Sequence, residues 1–434
     1  MRLPSPLSVE SLPGLPPSLL PLLRAASDDE GLALVGGAVR DLLLHRVHND
    51  PWLGVPDLDL VVEPAPAGPP AHAVSSSEAP AHRFVRRLRR RLPPEAVLYV
   101  QEHGAYGTVE LELQLPEGPW LLDLASARRE TYPQPGENPE VRFGSLADDL
   151  ARRDFTINAM ALRLSGDGAS ELLDPHGGLA DLGARQLRFL HPASVRDDPT
   201  RVVRGARYAA RLGFDLAPDD RRQVASTLAA WPWAWRPGDP VAAAPPALAT
   251  RLRMELELLL EREAWPRALA ALQRWGGLLL LDPALQSDRH WRGRLRRAAR
   301  LGLPLLPALL AAASDPLAVA ERLQLPHRQH RLLARLLQLR RLLEQHRAAG
   351  SLPASPAAWC ALLEAPGVAP DAVALALAAG LEPRRPLLRW WLRWRHLSAP
   401  RSAAELIAEG LSPGPALGQR LRALRQERLQ RERL

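Results

Sequence analysis

Strand-forming patterns are confined to the first part of this 434-residue chain, and this asymmetry limits the folds open to it. Between about 30 and 165, short aliphatic and β-branched runs are separated by glycine turns, a pattern typical of a mixed sheet with helices. From about 170 onward, Leu and Ala recur at spacings of three and four with arginines between them, which predicts amphipathic helices. The sequence therefore predicts an α+β chain, in which a sheet domain precedes helical ones.

Charge and cysteine content narrow the class of function. Basic residues outnumber acidic ones by 56 to 48, and every Lys or Arg position is arginine, which favours phosphate-bearing partners such as RNA or nucleotides. The longest apolar runs fall far short of the ~20 residues of a membrane helix. A single cysteine, Cys360, excludes an intramolecular disulfide. We expect a cytoplasmic protein with no membrane association, and no obligate protein partner is indicated.

A glycine pair ends the first predicted strand and begins a helix. Gly36 and Gly37 follow the buried run 32–35 and precede a helix predicted over 39–44. Backbone N–H groups at a helix start bind phosphate, and Arg40 lies one turn further, where its side chain can close over the same anion. The alternative is an ordinary tight turn, which also needs glycine.

Two carboxylates follow on the next predicted strand. Asp57 and Asp59 alternate along the strand, so their side chains project from one face. Paired carboxylates repel each other unless a divalent cation lies between them, and oxygen ligands of this kind suit Mg²⁺ together with substrate phosphates. Such a pair is often structurally idle. Its position directly after the glycine turn favours a two-metal nucleotidyl-transfer site instead.

Two arginine-rich segments complete the candidate site. Arg152 and Arg153 form a pair that fits a triphosphate clamp, and the alternative is a set of ion pairs, Arg152 with Asp149 and Arg153 with Asp154. Further along, arginines recur every three residues on one predicted helix face, with an aspartate at its start. An Asp-Pro pair is also a good helix start, so an N-cap role is the alternative for that aspartate. These residues are Asp198, Arg201, Arg204 and Arg207.

Five motifs between about 31 and 214 resemble, in order, those of the class II tRNA nucleotidyltransferase and poly(A) polymerase family. They read VGGAVRD, DLDLVV, DLARRDFTINAMA, LLDPHGGLADL and DDPTRVVRGARYAARLGF. The resemblance implies a polymerase-β-like head domain followed by all-α neck, body and tail domains. The expected boundaries are a leader at 1–28, a nucleotidyltransferase head at 29–168, a neck at 169–265, a body at 266–347 and an RNA-binding tail at 348–434.

The resemblance also assigns roles to residues. It implies that Asp57 and Asp59 bind the metals, with Asp123 a weaker additional candidate, and that Gly37, Arg40 and Arg153 contact the triphosphate. It further implies a nucleotide-base pocket lined by Asp198, Arg201, Arg204 and Arg207. The implied cofactor is Mg²⁺, and the implied substrates are CTP, ATP and the 3′ end of tRNA.

The activity that follows is template-independent addition or repair of the 3′-terminal CCA of tRNA, with release of pyrophosphate. The alternatives are a poly(A) polymerase, an enzyme that adds only CC or only A, and a non-catalytic RNA-binding protein with the same fold. The chain departs from the family by an insertion at 48–55. The family's loop that governs the switch from C to A corresponds to 126–143, which is interrupted by prolines here.

Overall fold

The structure is a computed structural model, which describes residues 9, 12–27, 30–52, 54, 57–64, 79–104, 107–164 and 170–433. The chain divides into two compact units. The first comprises Met1–Ala234, Pro245–Ala247 and Glu263–Trp275, and the second comprises Trp235–Ala244, Leu248–Arg262 and Gly276–Leu434.

The strands of the described residues all lie in the first unit. In chain order they are β1 (Gly31–Val35), β2 (Leu58–Glu63), β3 (Val97–His103), β4 (Thr108–Leu115), β5 (Gly118–Ser126), β6 (Arg128–Thr131), β7 (Glu140–Phe143), β8 (Ala161–Leu164), β9 (Ser170–Leu173), β10 (Gln186–Leu187) and β11 (Asp215–Leu216). Seven of them form one mixed sheet in the order β3-β4-β5-β2-β1-β8-β9.

The pairing of the central strands brings two carboxylates together. β2 pairs with β5 in parallel, whereas its other neighbour, β1, is antiparallel to it. In the parallel pair, Asp59 lies opposite Asp123, so two carboxylates 64 positions apart in sequence become cross-strand neighbours. β4 alternates buried and exposed residues along its length, because one face of the sheet packs on the core and the other faces outward.

The helices are distributed over both units. In chain order they are α1 (Leu19–Ser27), α2 (Gly37–His48), α3 (Pro80–Arg90), α4 (Leu146–Ala151), α5 (Gly178–Gly183), α6 (Ser194–Asp197), α7 (Thr200–Leu212), α8 (Pro218–Ala230), α9 (Thr250–Arg262), α10 (Trp265–Arg274), α11 (Pro283–Ser287), α12 (Trp291–Arg300), α13 (Leu305–Leu310), α14 (Pro316–Arg322), α15 (His327–Ala348), α16 (Pro356–Leu363), α17 (Pro370–Ala379), α18 (Arg384–Leu392), α19 (Ala403–Ala408) and α20 (Pro415–Gln430).

Aliphatic residues from β1, β2 and β8 pack against α4. The residues of this cluster are fully or almost fully buried: Ala33, Val35, Val61, Ala127, Leu146, Leu150 and Ala161. α4 begins with a capping box, in which Ser145 and Asp148 satisfy each other's backbone N–H groups. The cap fixes where α4 starts.

The predicted α+β order, a mixed sheet followed by helices, is confirmed. The expectation that strands end near 170 is wrong, because β9 pairs with β8 and the short strands β10 and β11 pair in parallel. The head boundary predicted at 168 accordingly falls between two paired strands of the same sheet. β9 is only four residues long and escapes detection, since so short a run shows little periodicity.

Part of the predicted leader is packed into the first unit. α1 buries Leu19, Leu20, Leu23 and Ala26 and packs against α3. The remaining leader residues, 1–8, 10–11 and 28, lie outside the described part of the chain. The described residues before the head are thus a core element of it.

Described residues of the two segments that depart from the family pattern make specific contacts. The insertion contributes Asp50, whose carboxylate accepts from both Nη1 and Nη2 of Arg185 at 2.9 and 2.6 Å. The 126–143 segment forms an antiparallel ribbon of β6 and β7. At its tip, Gly136 donates its N–H to the Asp197 carbonyl at 3.1 Å and accepts from the Ala247 N–H at 3.1 Å.

The second unit consists of packed helices. α12 and α15 pack on α17, and α16 packs on α18 and α20. Arg425 of α20 forms a two-pronged ion pair with Glu364, which follows α16, at 2.6 and 2.8 Å. In neither unit do the described residues include a helix that is both long and apolar enough to span a membrane.

Candidate active site

The turn between β1 and α2 brings backbone close to charged side chains. Gly36 has φ 70° and ψ −133°, a conformation that favours glycine. A Cβ placed on Gly36 would lie 3.1 Å from Asp59 Oδ2 and 3.2 Å from Arg153 Nη1. The turn, a catalytic-type aspartate and an arginine therefore converge at one point, in front of the N-terminus of a 12-residue helix.

The family resemblance assigned a triphosphate contact to Gly37, whereas the positive φ and the close approach of side chains belong to Gly36. A Cβ on Gly37 would meet Arg40 Nη2 at 3.4 Å, an ordinary contact distance. Gly37 is the first residue of α2, so its role in phosphate binding stays a prediction about its backbone N–H. Both glycines stand in the same motif, but only the folded turn shows which one must lack a side chain.

Three carboxylates gather where β2 and β5 meet. Asp57 precedes β2, Asp59 lies within it, and Asp123 lies opposite Asp59 on β5. Burial, followed by the negative charges of Asp59, Asp57 and Glu110, raises the pKa of Asp123 to about 6. The pKa of Asp59 is also raised, by burial and then by Asp57, against the attraction of Arg153 and Arg40. The carboxylates of this cluster thus repel one another, and a bound cation would relieve that repulsion.

The donor chemistry of this cluster fits Mg²⁺. Magnesium takes one or two protein carboxylates and completes its shell with water and substrate phosphate oxygens. Among the residues that the structure describes, no three His, Cys, Asp or Glu side chains form a ready metal cage. A site of two or three aspartates that needs a nucleotide's phosphates to complete its coordination is consistent with both observations.

One buried carboxylate organises the arginine pair. Asp149 is fully buried and accepts from Arg152 Nη2 at 2.6 Å and from Arg153 Nη2 at 2.9 Å. Burial alone would raise the pKa of Asp149, but the charges and hydrogen bonds of Arg153 and Arg152 lower it below its ordinary value. The ion pair that the sequence suggested between Arg153 and Asp154 is replaced, since Asp154 contacts Arg204 at 3.4 Å.

Arg40 is held by neighbouring side chains close to the turn. Its side chain is only 4% exposed, and it donates to Asp41 Oδ1 at 2.8 Å and to Asn158 Oδ1 at 2.9 Å. Its guanidinium also lies 5.6 Å from the ring centre of Tyr208. Asn158 and Tyr208, which sequence reasoning did not select, thus hold Arg40, and a contact of Arg40 with triphosphate stays a prediction.

The predicted base-reading residues lie at and along α7. Asp198 is 2% exposed, and its Oδ1 accepts from the Thr200 N–H at 3.0 Å and from its hydroxyl at 2.6 Å. One oxygen of Asp198 thus accepts from the first residue of α7, the kind of bond that the N-cap alternative expects, although Pro199 stands between them. Arg201 is 3% exposed and donates to the Arg152 carbonyl at 3.2 Å. Their role in reading the base stays a prediction.

The two later arginines of that face point to different partners. Arg204 Nη1 lies 3.4 Å from Asp154 Oδ2, and Arg207 Nε lies 3.6 Å from Glu263 Oε1. They share a helix with Arg201 as the spacing predicted, but each is paired with its own carboxylate. Their role in the base pocket is likewise untested.

A cleft of about 310 Å³ connects the carboxylates with the arginine pair. Asp59, Asp123, Arg152 and Arg153 line it, together with two residues that the sequence did not indicate, His103 and Glu110. His103 Nε2 lies 3.7 Å from Glu110 Oε1. No motif marks these two, because they reach the cleft only through the pairing of β3 with β4 and of β4 with β5.

Comparison with known proteins agrees with this geometry. Residues 32–188 match the Poly A polymerase head domain. A CC-adding tRNA nucleotidyltransferase from Deinococcus radiodurans is 41% identical over 407 residues, which cover 92% of this chain and 85% of that protein. An A-adding tRNA nucleotidyltransferase from Aquifex aeolicus is 39% identical over 42% of this chain and 19% of that protein.

A solved structure of a CCA-adding enzyme, apo form II, has a similar fold, with a TM-score of 0.68 at 23% identity. The match covers 100% of this chain and 97% of that one. The sheet, the glycine turn and the paired aspartates define a nucleotidyltransferase. More narrowly, the chain belongs to the tRNA nucleotidyltransferase and poly(A) polymerase family. The family predicted from five sequence motifs is confirmed.

Proposed function

We propose that this chain builds or repairs the 3′-terminal CCA of tRNA from CTP and ATP. In this reaction, the RNA 3′-hydroxyl attacks the α-phosphorus of the nucleotide and pyrophosphate leaves. The observation that carries the proposal is the convergence of Asp59, Gly36 and Arg153 within about 3 Å of one point, with Asp123 opposite Asp59 in the sheet. Carboxylates for metals and cations for phosphates are the two requirements of nucleotidyl transfer.

Each group of residues would have its own role in the reaction. Backbone N–H groups at the start of α2 bind the triphosphate, and Arg153 offsets the charge that develops on the leaving pyrophosphate. Asp57 and Asp59, with Asp123 beside them, would hold Mg²⁺, which supplies activation of the hydroxyl and neutralisation of the leaving group. The rest of the catalysis is positioning, because the attacking and leaving oxygens must lie in line.

Base selection is proposed to lie with Asp198 and Arg201. Cytosine and adenine both present an amino donor beside a ring-nitrogen acceptor, whereas uracil and guanine present the reverse pattern. A carboxylate only accepts and a guanidinium only donates, so this pair would admit C and A without a nucleic-acid template. Supporting the proposal, both side chains are almost fully buried, where hydrogen bonds discriminate strongly, and Arg201 donates to the Arg152 carbonyl.

Addition of CC alone is the second candidate, and one observation favours it. The relative that is similar along 92% of this chain is CC-adding, whereas the A-adding relative from Aquifex aeolicus matches only 42% of it. The alternatives of poly(A) addition and of non-catalytic RNA binding have no comparable support. Intact Asp57 and Asp59 argue against a protein that has lost its activity.

The test uses tRNA transcripts that lack all three, or only the last, of the terminal nucleotides. Each is incubated with Mg²⁺ and CTP, ATP or both, and the products are sequenced, with Asp59→Asn as the inactive control. CCA on the first transcript and A on the second support complete synthesis. CC on the first and nothing on the second select the CC-adding candidate. Wild-type protein that adds nothing to either transcript refutes the proposal.

We further propose the order of domains given by the resemblance, a head, a helical neck, a body and an RNA-binding tail, with the head extending from α1 to β9 instead of ending at 168. We also propose a cytoplasmic location. The arginine-rich helices of the second unit support an RNA-binding role there. If they bind RNA, the affinity for tRNA should fall by roughly 0.7 to 0.9 log units per phosphate contact for each tenfold rise in salt. An affinity for tRNA that does not change with salt would exclude these helices as the RNA-binding surface.

A further inference from the structure

We propose that Asp149 is a positioning residue, which holds Arg153 in place to bind the phosphates of the nucleotide and of pyrophosphate. This inference rests on the proposed nucleotidyl transfer and extends it to a residue that itself touches no substrate. Asp149 lies in the last turn of α4, behind the arginine pair, and is fully buried.

The carboxylate of Asp149 divides its two oxygens between two consecutive arginines. Oδ1 accepts from Arg152 Nε at 2.9 Å and Nη2 at 2.6 Å. Oδ2 accepts from Arg153 Nε at 3.3 Å and Nη2 at 2.9 Å. Asp149 thus binds each guanidinium along the edge that carries Nε and Nη2. The Nη1 group of each arginine does not contact Asp149.

The two remaining Nη1 groups have different surroundings. Arg152 Nη1 donates to Glu130 of β6 at 3.0 Å, so carboxylates hold both ends of that guanidinium. Arg153 Nη1 lies 3.2 Å from the Cβ position of Gly36, beside Asp59, and donates a long hydrogen bond of 3.4 Å to the Asn158 carbonyl. Arg153 therefore presents a charged donor to the catalytic turn, whereas Arg152 is tied into the protein.

Electrostatics explains why a fully ionised buried carboxylate is needed at this position. Two adjacent guanidinium groups repel each other, and a negative charge between them lets both stay close together in a partly buried position. An arginine side chain also has many rotamers, and the grip on Nε and Nη2 removes that freedom before substrate binds. Since a misplacement of about 1 Å costs roughly 100-fold in rate, loss of this grip should appear in catalysis.

The experiment compares Asp149→Asn with two controls, Asp148→Asn and Glu130→Gln. Asp148 is the neighbouring aspartate of the α4 cap, and Glu130 holds Arg152 but not Arg153. The readouts are competition by inorganic pyrophosphate for CTP, measured without RNA, and steady-state CTP incorporation. We expect Asp149→Asn to weaken pyrophosphate binding and to lower kcat/KM for CTP by about 10- to 100-fold, with the KM for RNA unchanged. Both controls should stay within about threefold of wild type.

A double-mutant cycle with Arg153→Gln separates positioning from general damage. If Asp149 acts through Arg153, adding Asp149→Asn to Arg153→Gln should cost less than about threefold further. Losses that multiply, or an Asp149→Asn protein that binds pyrophosphate like wild type, overturn the assignment. Should the single variant fail to fold, Asp149→Asn is made in an Arg152→Gln background, which removes one charge of each sign, and is compared with Arg152→Gln alone.

The same data keep the two proposals apart. Pyrophosphate and CTP binding are measured in the absence of tRNA, so they report on Asp149 whether or not the protein extends tRNA. A wild-type protein that binds pyrophosphate but adds nothing to tRNA would refute the proposed function and leave the positioning test intact.

Discussion

Replacing Gly36 by alanine tests the convergence on which the active site rests. The backbone there, with φ 70° and ψ −133°, disfavours any L side chain, at a cost of about 1–3 kcal/mol. The new Cβ would also lie 3.1 Å from Asp59 Oδ2 and 3.2 Å from Arg153 Nη1, so both charged groups must move by a few tenths of an ångström. Since about 1 Å of misplacement costs roughly 100-fold, we expect kcat/KM for CTP to fall by about 10- to 100-fold.

Gly213 provides the matched control for backbone strain. It has φ 72° and ends α7, and a Cβ there would meet nothing within 4 Å. Gly213→Ala should therefore lower the free energy of unfolding by about 1–2 kcal/mol and leave CTP incorporation near the wild-type rate.

The assay is incorporation of labelled CMP into a tRNA transcript, combined with urea unfolding of each variant. A folded Gly36→Ala protein that keeps more than half of the wild-type kcat/KM would refute the placement of Asp59 and Arg153 against this turn. Equal losses of activity in Gly36→Ala and Gly213→Ala would attribute the effect to strain alone.

Three further predictions follow from single side chains. Asp57→Ala and Asp59→Ala should each abolish incorporation of CTP and ATP alike while tRNA binding survives, measured by product gels and a binding titration; a tenth of wild-type activity would contradict the metal assignment. In Asp198→Asn, the asparagine can still cap α7, but its side chain is no longer a pure acceptor. Incorporation of CTP should therefore fall and incorporation of UTP should rise. A variant with the nucleotide selectivity of the wild type would leave Asp198 with a capping role alone. Burial is the main cause that raises the pKa of Asp220 to about 6, above its value of about 4 in an unfolded chain. Its contribution to stability is therefore present below about pH 4 and is lost as the pH rises through 6. Asp220→Asn should accordingly raise the Tm at pH 8 but not at pH 4, and an equal change at both would contradict this.

The two carboxylates and the glycine turn could be found in the sequence because their signals are local. A strand, a glycine pair and a helix start are written in consecutive residues, and Asp57 and Asp59 share a face through strand periodicity alone. The order of five such motifs was sufficient for the family and for the α+β organisation, both of which are confirmed.

The tertiary structure decided which of these residues meet. Strand register places Asp123 opposite Asp59, and sheet order brings His103 and Glu110 to the cleft, although neither belongs to a motif. Which carboxylate pairs with which arginine likewise depends on the fold. Asp149 takes both arginines because it is buried behind them, and Asp154 pairs with Arg204 across to α7. Sequence spacing determines which side chains share an element, whereas contacts between elements depend on register and packing, which no local pattern encodes.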